Sequence, residues 1–292
     1  DLRAERQSQS SAAYMPETGI AQYFGNLGGP IRTNTLWFFV SDNFFSTTDA
    51  TTEQSIGWLT VPAGTRSATT NNILGKLTYT PRPNHTISAT GAVDTSVDQD
   101  GGIGVPELYT KTTYTDGFFR GNYAGVLSDK MLLTGAAGYN RQRHVTTPLS
   151  GNYRDPSYFW QDIAQRTNNI DVAEAGFEQR VDLAVSVSRS VRRGRWGNHE
   201  IKAGAGYYAN SFDATYNRPG YAADLWTGNG FDDGVQIEWA RPGVPLGLKE
   251  YKTGRQADST SGFGLHVQDT LTAGRFTLMA GLRSDTQRIV DD

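Results

Sequence analysis

The segment between residues 181 and 190 alternates strictly between apolar side chains and small or polar ones. Its apolar members are Val181, Leu183, Val185 and Val187, and small or polar residues such as Asp182 separate them. Because successive side chains of a β-strand point to opposite faces of a sheet, this pattern predicts a strand with one apolar and one polar face. The pattern recurs about ten times, so we expect a chain built almost entirely from β-strands.

The repeats group into five predicted hairpins with short turns. The paired strands are 18–29 with 35–46, 70–80 with 85–96, 111–127 with 131–143, 177–190 with 199–212, and 260–271 with 276–288. Pro81 and Pro83 mark the second turn, because proline has no N–H to donate to a ladder. The connections between hairpins are long and polar, and they cover 47–69, 97–110, 144–176 and 213–259.

The unequal connections distinguish two all-β architectures. A soluble β-sandwich has turn signals every ~8–12 residues at both ends, whereas outer-membrane barrels have short periplasmic turns and long extracellular loops. Most predicted strands have 11 residues or more. A tilted strand needs ~9–11 residues to cross a bilayer, and soluble strands usually have ~5–6. We therefore predict an antiparallel transmembrane β-barrel of about ten strands, with a soluble β-sandwich binding module as the alternative.

The two faces of the predicted strands agree with a barrel. The face opposite the apolar one is expected to line the lumen, and it carries Lys76, Thr78, Thr80, Asn140, Asp182, Glu200, Lys202, His266 and Gln268. The apolar rows end in Tyr79, Tyr139 and Tyr207, where an aromatic girdle would lie. Because every backbone polar group must be paired in lipid, a sheet can span a membrane only if it closes.

Composition argues against other classes of protein. The net charge of −3 gives no basic surplus for nucleic acid, and the chain has no cysteine for a disulfide or a thiolate metal site. The longest apolar run covers Leu36 to Val40, far short of the roughly 20 residues of a spanning helix. No nucleophile elbow, P-loop, HExxH or dinucleotide motif occurs. We expect no enzyme, no catalytic residue, no cofactor and no metal site.

Aromatic residues concentrate in the two longest connections. The first holds Tyr153, Tyr158, Phe159 and Trp160, and the second holds Tyr216, Tyr221, Trp226, Phe231 and Trp239. Aromatic rings beside Asp and Asn suit ligands with flat apolar faces, such as sugars, peptides or aromatic chelates. The alternative is that the rings pack the loops against each other or anchor them at the membrane interface. The predicted ligand-binding residues are Tyr158, Trp160, Tyr221 and Trp226.

Two segments near the ends of the chain carry short motifs. Residues 26–31 read NLGGPI and are followed by LWFF at 36–39, while residues 267–271 read VQDTL and are followed by RFTLMAGLRSD at 275–285. The first resembles the GGPI…WFF hairpin near the start of the barrel in TonB-dependent outer-membrane receptors of the Oar-like type. The second is similar to the mid-barrel VQD…GLRYD hairpin of that family, with Ser284 for the usual Tyr and Met279 for the usual Asn.

This resemblance implies a barrel of 22 strands, filled by an N-terminal plug and driven by the TonB complex of the inner membrane. The chain would then be the N-terminal part of such a barrel in the bacterial outer membrane. Residues 1–17 form a polar lead-in segment and 18–292 the partial barrel. A self-contained ten-stranded barrel is the alternative.

The implied function is active uptake of a solute, such as a siderophore, a glycan or a peptide. The implied partners are outer-membrane lipid, the solute, and the TonB complex acting through a plug that these 292 residues lack. A barrel serving surface adhesion or export is the functional alternative. The sequence names neither the solute nor the oligomeric state.

Overall fold

Ten long strands account for most of the chain. The structure, a computed structural model, describes residues 18–100, 105–192, 197–220, 234–251 and 254–291. The ten long strands are β1 (Thr18–Arg32), β2 (Leu36–Thr51), β5 (Gly64–Arg82), β6 (His85–Asp100), β7 (Thr110–Ser128), β8 (Met131–Pro148), β11 (Ala173–Arg192), β12 (Asn198–Asn217), β15 (Gly254–Ala273) and β16 (Phe276–Asp291). Strands of this length exceed the ~9–11 residues that a tilted strand needs to cross a bilayer.

All ten strands form one antiparallel sheet in the order in which they occur along the chain. Consecutive strands pair in the hairpins β1–β2, β5–β6, β7–β8, β11–β12 and β15–β16, which confirms the five hairpins predicted from the sequence. The strands run several residues further into the predicted loops than expected, because Thr-rich and Val-containing segments there continue the ladder.

A single row of paired residues crosses the whole sheet. It runs through Gly29, Phe38, Leu77, Ala89, Gly121, Ala137, Leu183, Tyr207, Phe263 and Thr286. Phe38 is two residues beyond the start of β2, whereas Thr286 is ten residues beyond the start of β16. With a rise of about 3.3 Å per residue and about 4.8 Å between strands, this stagger of eight residues over eight strand spacings corresponds to a tilt of about 35°. Barrel strands tilt in this way, because closure requires a stagger.

The sheet has two edges among the described residues, where β1 pairs with β2 alone and β16 with β15 alone. The ten strands therefore form an open wall and not the self-contained ten-stranded barrel. They also form one sheet and not the two facing sheets of a sandwich. Because a large side chain at an edge has neighbours on one side only, Phe276 of β16 is 81% exposed.

Short strands occupy the long connections. They are β3 (Gln54–Ile56), β4 (Leu59–Val61), β9 (Ser157–Trp160), β10 (Gln165–Thr167), β13 (Gly234–Arg241) and β14 (Val244–Tyr251), and a 3-10 helix covers Pro106–Leu108. The connections expected at 97–110 and 144–176 are shorter than predicted, because β6, β8 and β11 extend into them. Residues 1–17 lie outside the described residues, so the division into a lead-in and a barrel portion stays a prediction.

Fully buried side chains are few and lie mainly in or near the loops. The buried apolar residues are Val61, Ala92, Val105, Ile170, Ala173 and Ala214. The large apolar side chains of the long strands are instead exposed: Leu183 is 47% exposed and Phe119 54%. A sheet with a continuous, exposed apolar face is typical of transmembrane β-barrels.

Candidate functional site

The outer face carries the apolar band. On β11 the outward residues run from Val181 to Val187, flanked by Gln179 on the loop side and Arg189 on the turn side. The ten residue steps from Gln179 to Arg189 rise about 25–29 Å along the barrel axis, at about 3.3 Å per step and a tilt of about 30–40°. This height matches the roughly 25 Å apolar band of outer-membrane barrels.

Aromatic side chains border this band on both sides. Tyr79 lies three residues before the end of β5 at its turn, whereas Tyr139 and Tyr207 lie eight and nine residues beyond their turns. All three project to the outer face and are at least 40% exposed. Tyr79 and Tyr139 therefore lie at opposite edges of the apolar band, where amphipathic rings are most stable. Tyr207 is the strand partner of Leu183 and lies within the band, not at the edge where the sequence placed it.

The inner face of the sheet carries charges of both signs. Arg180 donates from Nε and Nη2 to the Asp182 carboxylate at 2.7–2.9 Å, and its guanidinium lies 5.5 Å from the ring centroid of Tyr208. On β16 the Nε of Arg283 donates to Asp285 at 2.7 Å. The Arg180–Asp182 pair is about half exposed and the Arg283–Asp285 pair more so, and both face the same side as Lys202 and His266. The inner wall is thus charged and open to water.

Glycines on the inner face make room for large neighbouring side chains. A Cβ at Gly204 would lie 2.5 Å from Cε1 of His266 and 2.7 Å from the carbonyl oxygen of Val185. A Cβ at Gly206, two residues along the same strand, would have no atom nearer than 3.6 Å. Gly204 is therefore required for His266 to lie flat across the sheet.

Acidic groups dominate the inner wall towards the long loops. Asp94 and Asp116 are strand partners, and the Asn72 amide donates to Asp94 at 2.7 Å. Nearer the loops, His144 and Glu174 are in contact at 2.7 Å. Lys202 and Arg283 lie closer to the short turns. The wall therefore presents carboxylates at its loop end and more cations deeper in.

Two long loops combine into a second sheet above the wall. β9 and β10 belong to the connection between β8 and β11, and β13 and β14 to that between β12 and β15. The four strands order as β10-β9-β13-β14, with β9 and β13 parallel. Hydrogen bonds from the amides of Gln161 and Asp162 to Trp239 and Ala240 continue this pairing. The two loops are therefore one structural unit, which no sequence signal predicted.

An aromatic cluster lies on one face of this loop sheet. Trp160 and Trp239 are stacked with ring centroids 5.3 Å apart, and Tyr158 meets both edge-on at 6.3 and 6.1 Å. Trp58, at the tip of the β3–β4 hairpin of a third loop, contacts Trp160 edge-on at 4.8 Å. Its Nε1 donates to Asp162 at 2.8 Å. Each aromatic pair stabilises the packing by about 0.5–1.5 kcal/mol, so the cluster joins three loops.

A buried polar residue organises the base of the first loop. Asn169 is fully buried, and its amide donates to the carbonyl oxygens of Asn152 and Asp155 at 3.1 and 2.7 Å. The carboxylate of Asp171 nearby forms ion pairs with the guanidinium groups of Arg166 at 3.3 Å and of Arg218, from the other long loop, at 2.6 Å. These contacts fix the loop sheet to the wall.

The structure brings together two of the four predicted ligand-binding residues. Tyr158 and Trp160 lie in the aromatic cluster, half-buried, whereas Tyr221 and Trp226 lie outside the described residues. Trp58 was not predicted, although a Gly57-Trp58 pair between two apolar residues is a hairpin signal. Gly57 indeed has a φ of +61°. Ligand binding by this cluster stays a prediction. The rings also pack the loops against each other, as the alternative interpretation of these aromatic residues expects.

Within the part of the chain that the structure describes, no helix is long and apolar enough to cross a membrane. In the same residues, no group of three or more His, Cys, Asp or Glu side chains is placed to hold a metal ion.

The comparisons with known proteins support the fold and leave the family open. No protein-family model and no curated protein sequence matches the chain. Among solved structures, the chain is similar to the outer membrane transporter YddB from Escherichia coli, with a TM-score of 0.69 and 12% sequence identity. The match covers 99% of this chain and 39% of the transporter. The chain therefore has the fold of part of the β-barrel of an outer membrane transporter.

Proposed function

We propose that these residues form part of the barrel of a TonB-dependent outer-membrane transporter of the Oar-like type. Its activity is energised uptake of a solute and not a bond-making reaction. The observation that carries the proposal is the tilted antiparallel sheet, apolar on the outer face and charged on the inner face. Its structural match covers 39% of an outer membrane transporter. A charged inner wall suits a conduit through which a polar solute passes.

The two motif-bearing segments support the finer assignment. They form the β1–β2 and β15–β16 hairpins, at the two edges of the sheet. In the first, Gly28 is the strand partner of Phe39, and a Cβ there would lie 3.1 Å from Cδ2 of that ring. The GGPI and WFF segments therefore depend on each other, because the ring of the second lies across the glycine of the first.

The proposed partners follow from the two faces and the loops. Outer-membrane lipid contacts the apolar band, the solute contacts the loops and the inner wall, and the TonB complex acts through a plug. No nucleic acid is involved. The proposed ligand-binding residues are Tyr158, Trp160, Tyr221 and Trp226, with Trp58 added because it completes the cluster.

The test is uptake by cells that carry the intact protein. The probes are a ferric hydroxamate siderophore, cyanocobalamin and a labelled oligosaccharide, each assayed with and without functional TonB. We expect accumulation of at least one probe that falls to background without TonB or after collapse of the proton gradient. If the protein resides in the outer membrane and no probe accumulates, adhesion or export becomes the better assignment. Recovery as a monodisperse protein without detergent would contradict every membrane assignment.

A matched pair of variants tests the loop cluster in the same assay. Trp160→Ala removes the ring at the centre of the cluster, whereas Tyr153→Ala removes an exposed ring of the same loop that is outside it. We expect the first to weaken capture of the transported probe about tenfold or more, and the second to leave it unchanged. Equal effects of both variants would argue against the cluster as the binding surface.

A further inference from the structure

Two arginines project outward directly above the apolar band of β8. The outward residues of this strand run Leu133, Gly135, Ala137, Tyr139, Arg141 and Arg143, since alternate residues share a face. Tyr139, at the edge of the band, is 40% exposed, and both arginines are exposed. Arg141 lies ten residues beyond the start of β8, about 25–29 Å above the turn end. The guanidinium groups are therefore at headgroup level on the long-loop side.

Both arginines neighbour one aromatic residue, Phe177, on the outer face. Arg143 is the strand partner of Phe177, and the Cζ of Arg141 lies 5.3 Å from the centroid of the same ring. This cation–π contact holds Arg141 towards Arg143 and away from the band below. Two cationic side chains thus project from the same face of β8, two residues apart.

Neither arginine is neutralised within the part of the chain that the structure describes. The nearest outward carboxylate, on Asp213, is the strand partner of Phe177 on its other side. Arg255 binds that carboxylate at 2.6 and 3.2 Å. No described carboxylate forms an ion pair with Arg141 or Arg143. The pair therefore keeps its full charge for an external anion.

The surface below the pair fits a lipid. Gly117, the strand partner of Arg141 on β7, has no side chain, and no atom other than a backbone oxygen lies within 4 Å of a Cβ placed there. This leaves a notch beside Arg141. Below it, Phe119 and Tyr139 are strand partners and both are exposed. Acyl chains would lie along these rings while the headgroup reaches the arginines.

We infer that Arg141 and Arg143 bind the phosphate groups of a phosphorylated lipid in the outer leaflet of the membrane. Guanidinium groups bind phosphate oxygens through paired, charge-assisted hydrogen bonds. This inference rests on the proposed membrane location and on the long loops being extracellular, but not on any transported solute. It assigns a bound lipid to a fixed place on the wall.

The experiment measures lipid retained by the intact protein in detergent, using native mass spectrometry. The probes are bisphosphorylated lipid A, the same lipid A after dephosphorylation, and inorganic phosphate. The variants are the double substitution Arg141→Gln, Arg143→Gln and the control Arg189→Gln, an exposed outward arginine at the turn end of β11. The folded state of each variant is verified by its heat-dependent mobility on gels.

We expect lipid A to bind the native protein and the Arg189→Gln variant equally, and the double variant about tenfold more weakly. Equal retention of phosphorylated and dephosphorylated lipid would overturn the inference. So would an unaffected double variant, an equal loss in the control, or displacement by inorganic phosphate, which would indicate a free-anion site. If the native protein binds lipid A but takes up no probe in the uptake assay, only the transport proposal is overturned and the lipid site stands.

Discussion

Placing an arginine on either face of β11 tests the assignment of outside and inside. Leu183→Arg puts the charge on the apolar face, and Ala184→Arg puts it one residue further, on the inner face. Leu183 is one residue from the midpoint between Gln179 and Arg189, so its Cα is about 3 Å from the centre of the band. Ala184 is flanked by Ala136 and Gly206, which leave space for a long side chain.

The two substitutions differ in the solvent that surrounds the new charge. An arginine facing lipid near the midplane destabilises an outer-membrane barrel by about 2–4 kcal/mol, which is about 30- to 900-fold in the folding equilibrium. An arginine on the hydrated inner wall changes the free energy of unfolding by less than about 0.5 kcal/mol. We therefore expect a difference of at least about 1.5 kcal/mol between them.

The assay is denaturant unfolding of the intact protein in lipid vesicles, followed by tryptophan fluorescence. The midpoint and slope give the free energy of unfolding for each variant, provided that the slope is unchanged. If Ala184→Arg were as destabilising as Leu183→Arg, the assignment of the two faces would be wrong. If both were neutral, the apolar face would not contact lipid.

Three further substitutions test local features. Gly204→Ala should destabilise the protein by about 1–3 kcal/mol in the same unfolding assay, because the new methyl group meets backbone, whereas Gly206→Ala should have little effect. Trp58→Ala removes the contacts that hold the β3–β4 hairpin against the loop at Asp162, so we expect faster hydrogen exchange in the hairpin and around Asp162. Unchanged exchange would show that this ring does not hold the hairpin in place. Asn169→Ala removes the hydrogen bonds to the carbonyl groups of Asn152 and Asp155 and leaves the buried amide of Ile170 without the Asn169 side-chain oxygen, so we expect local destabilisation of about 1–3 kcal/mol, measured by protease cleavage of the loop at 149–172.

The ten long strands follow closely from the sequence. The alternation of apolar and polar residues predicted the long strands and their faces, and the prolines and short polar segments predicted the turns. The strand ends were less predictable, because the strands continue into segments with no apolar alternation. Thr112 and Thr146 are strand partners in such a segment, and their hydroxyl groups are hydrogen-bonded at 3.0 Å. The sequence of a strand that is polar on both faces resembles that of a loop, because it lacks the alternation of apolar and polar residues.

The loop cluster was predictable only in part. The sequence identifies aromatic loops, and Tyr158 and Trp160 come together as their spacing of two on one strand requires. The contact of Trp160 with Trp239, which is 79 residues away in the sequence, depends on a parallel strand pair between two loops. Short loop strands with no long-range signal do not reveal their partners, and Tyr221 and Trp226 remain untested.

The sequence by itself determined the period of the strands, and that period sorts every side chain to one face or the other. Only the tertiary structure decided how the hairpins are ordered side by side, how far each strand is staggered, and which loops meet. The reason is physical: alternation is local, since it arises from the geometry of successive residues. The stagger that tilts the wall, and the ring of Trp58 lying against Trp160, arise from pairing between residues far apart in the chain.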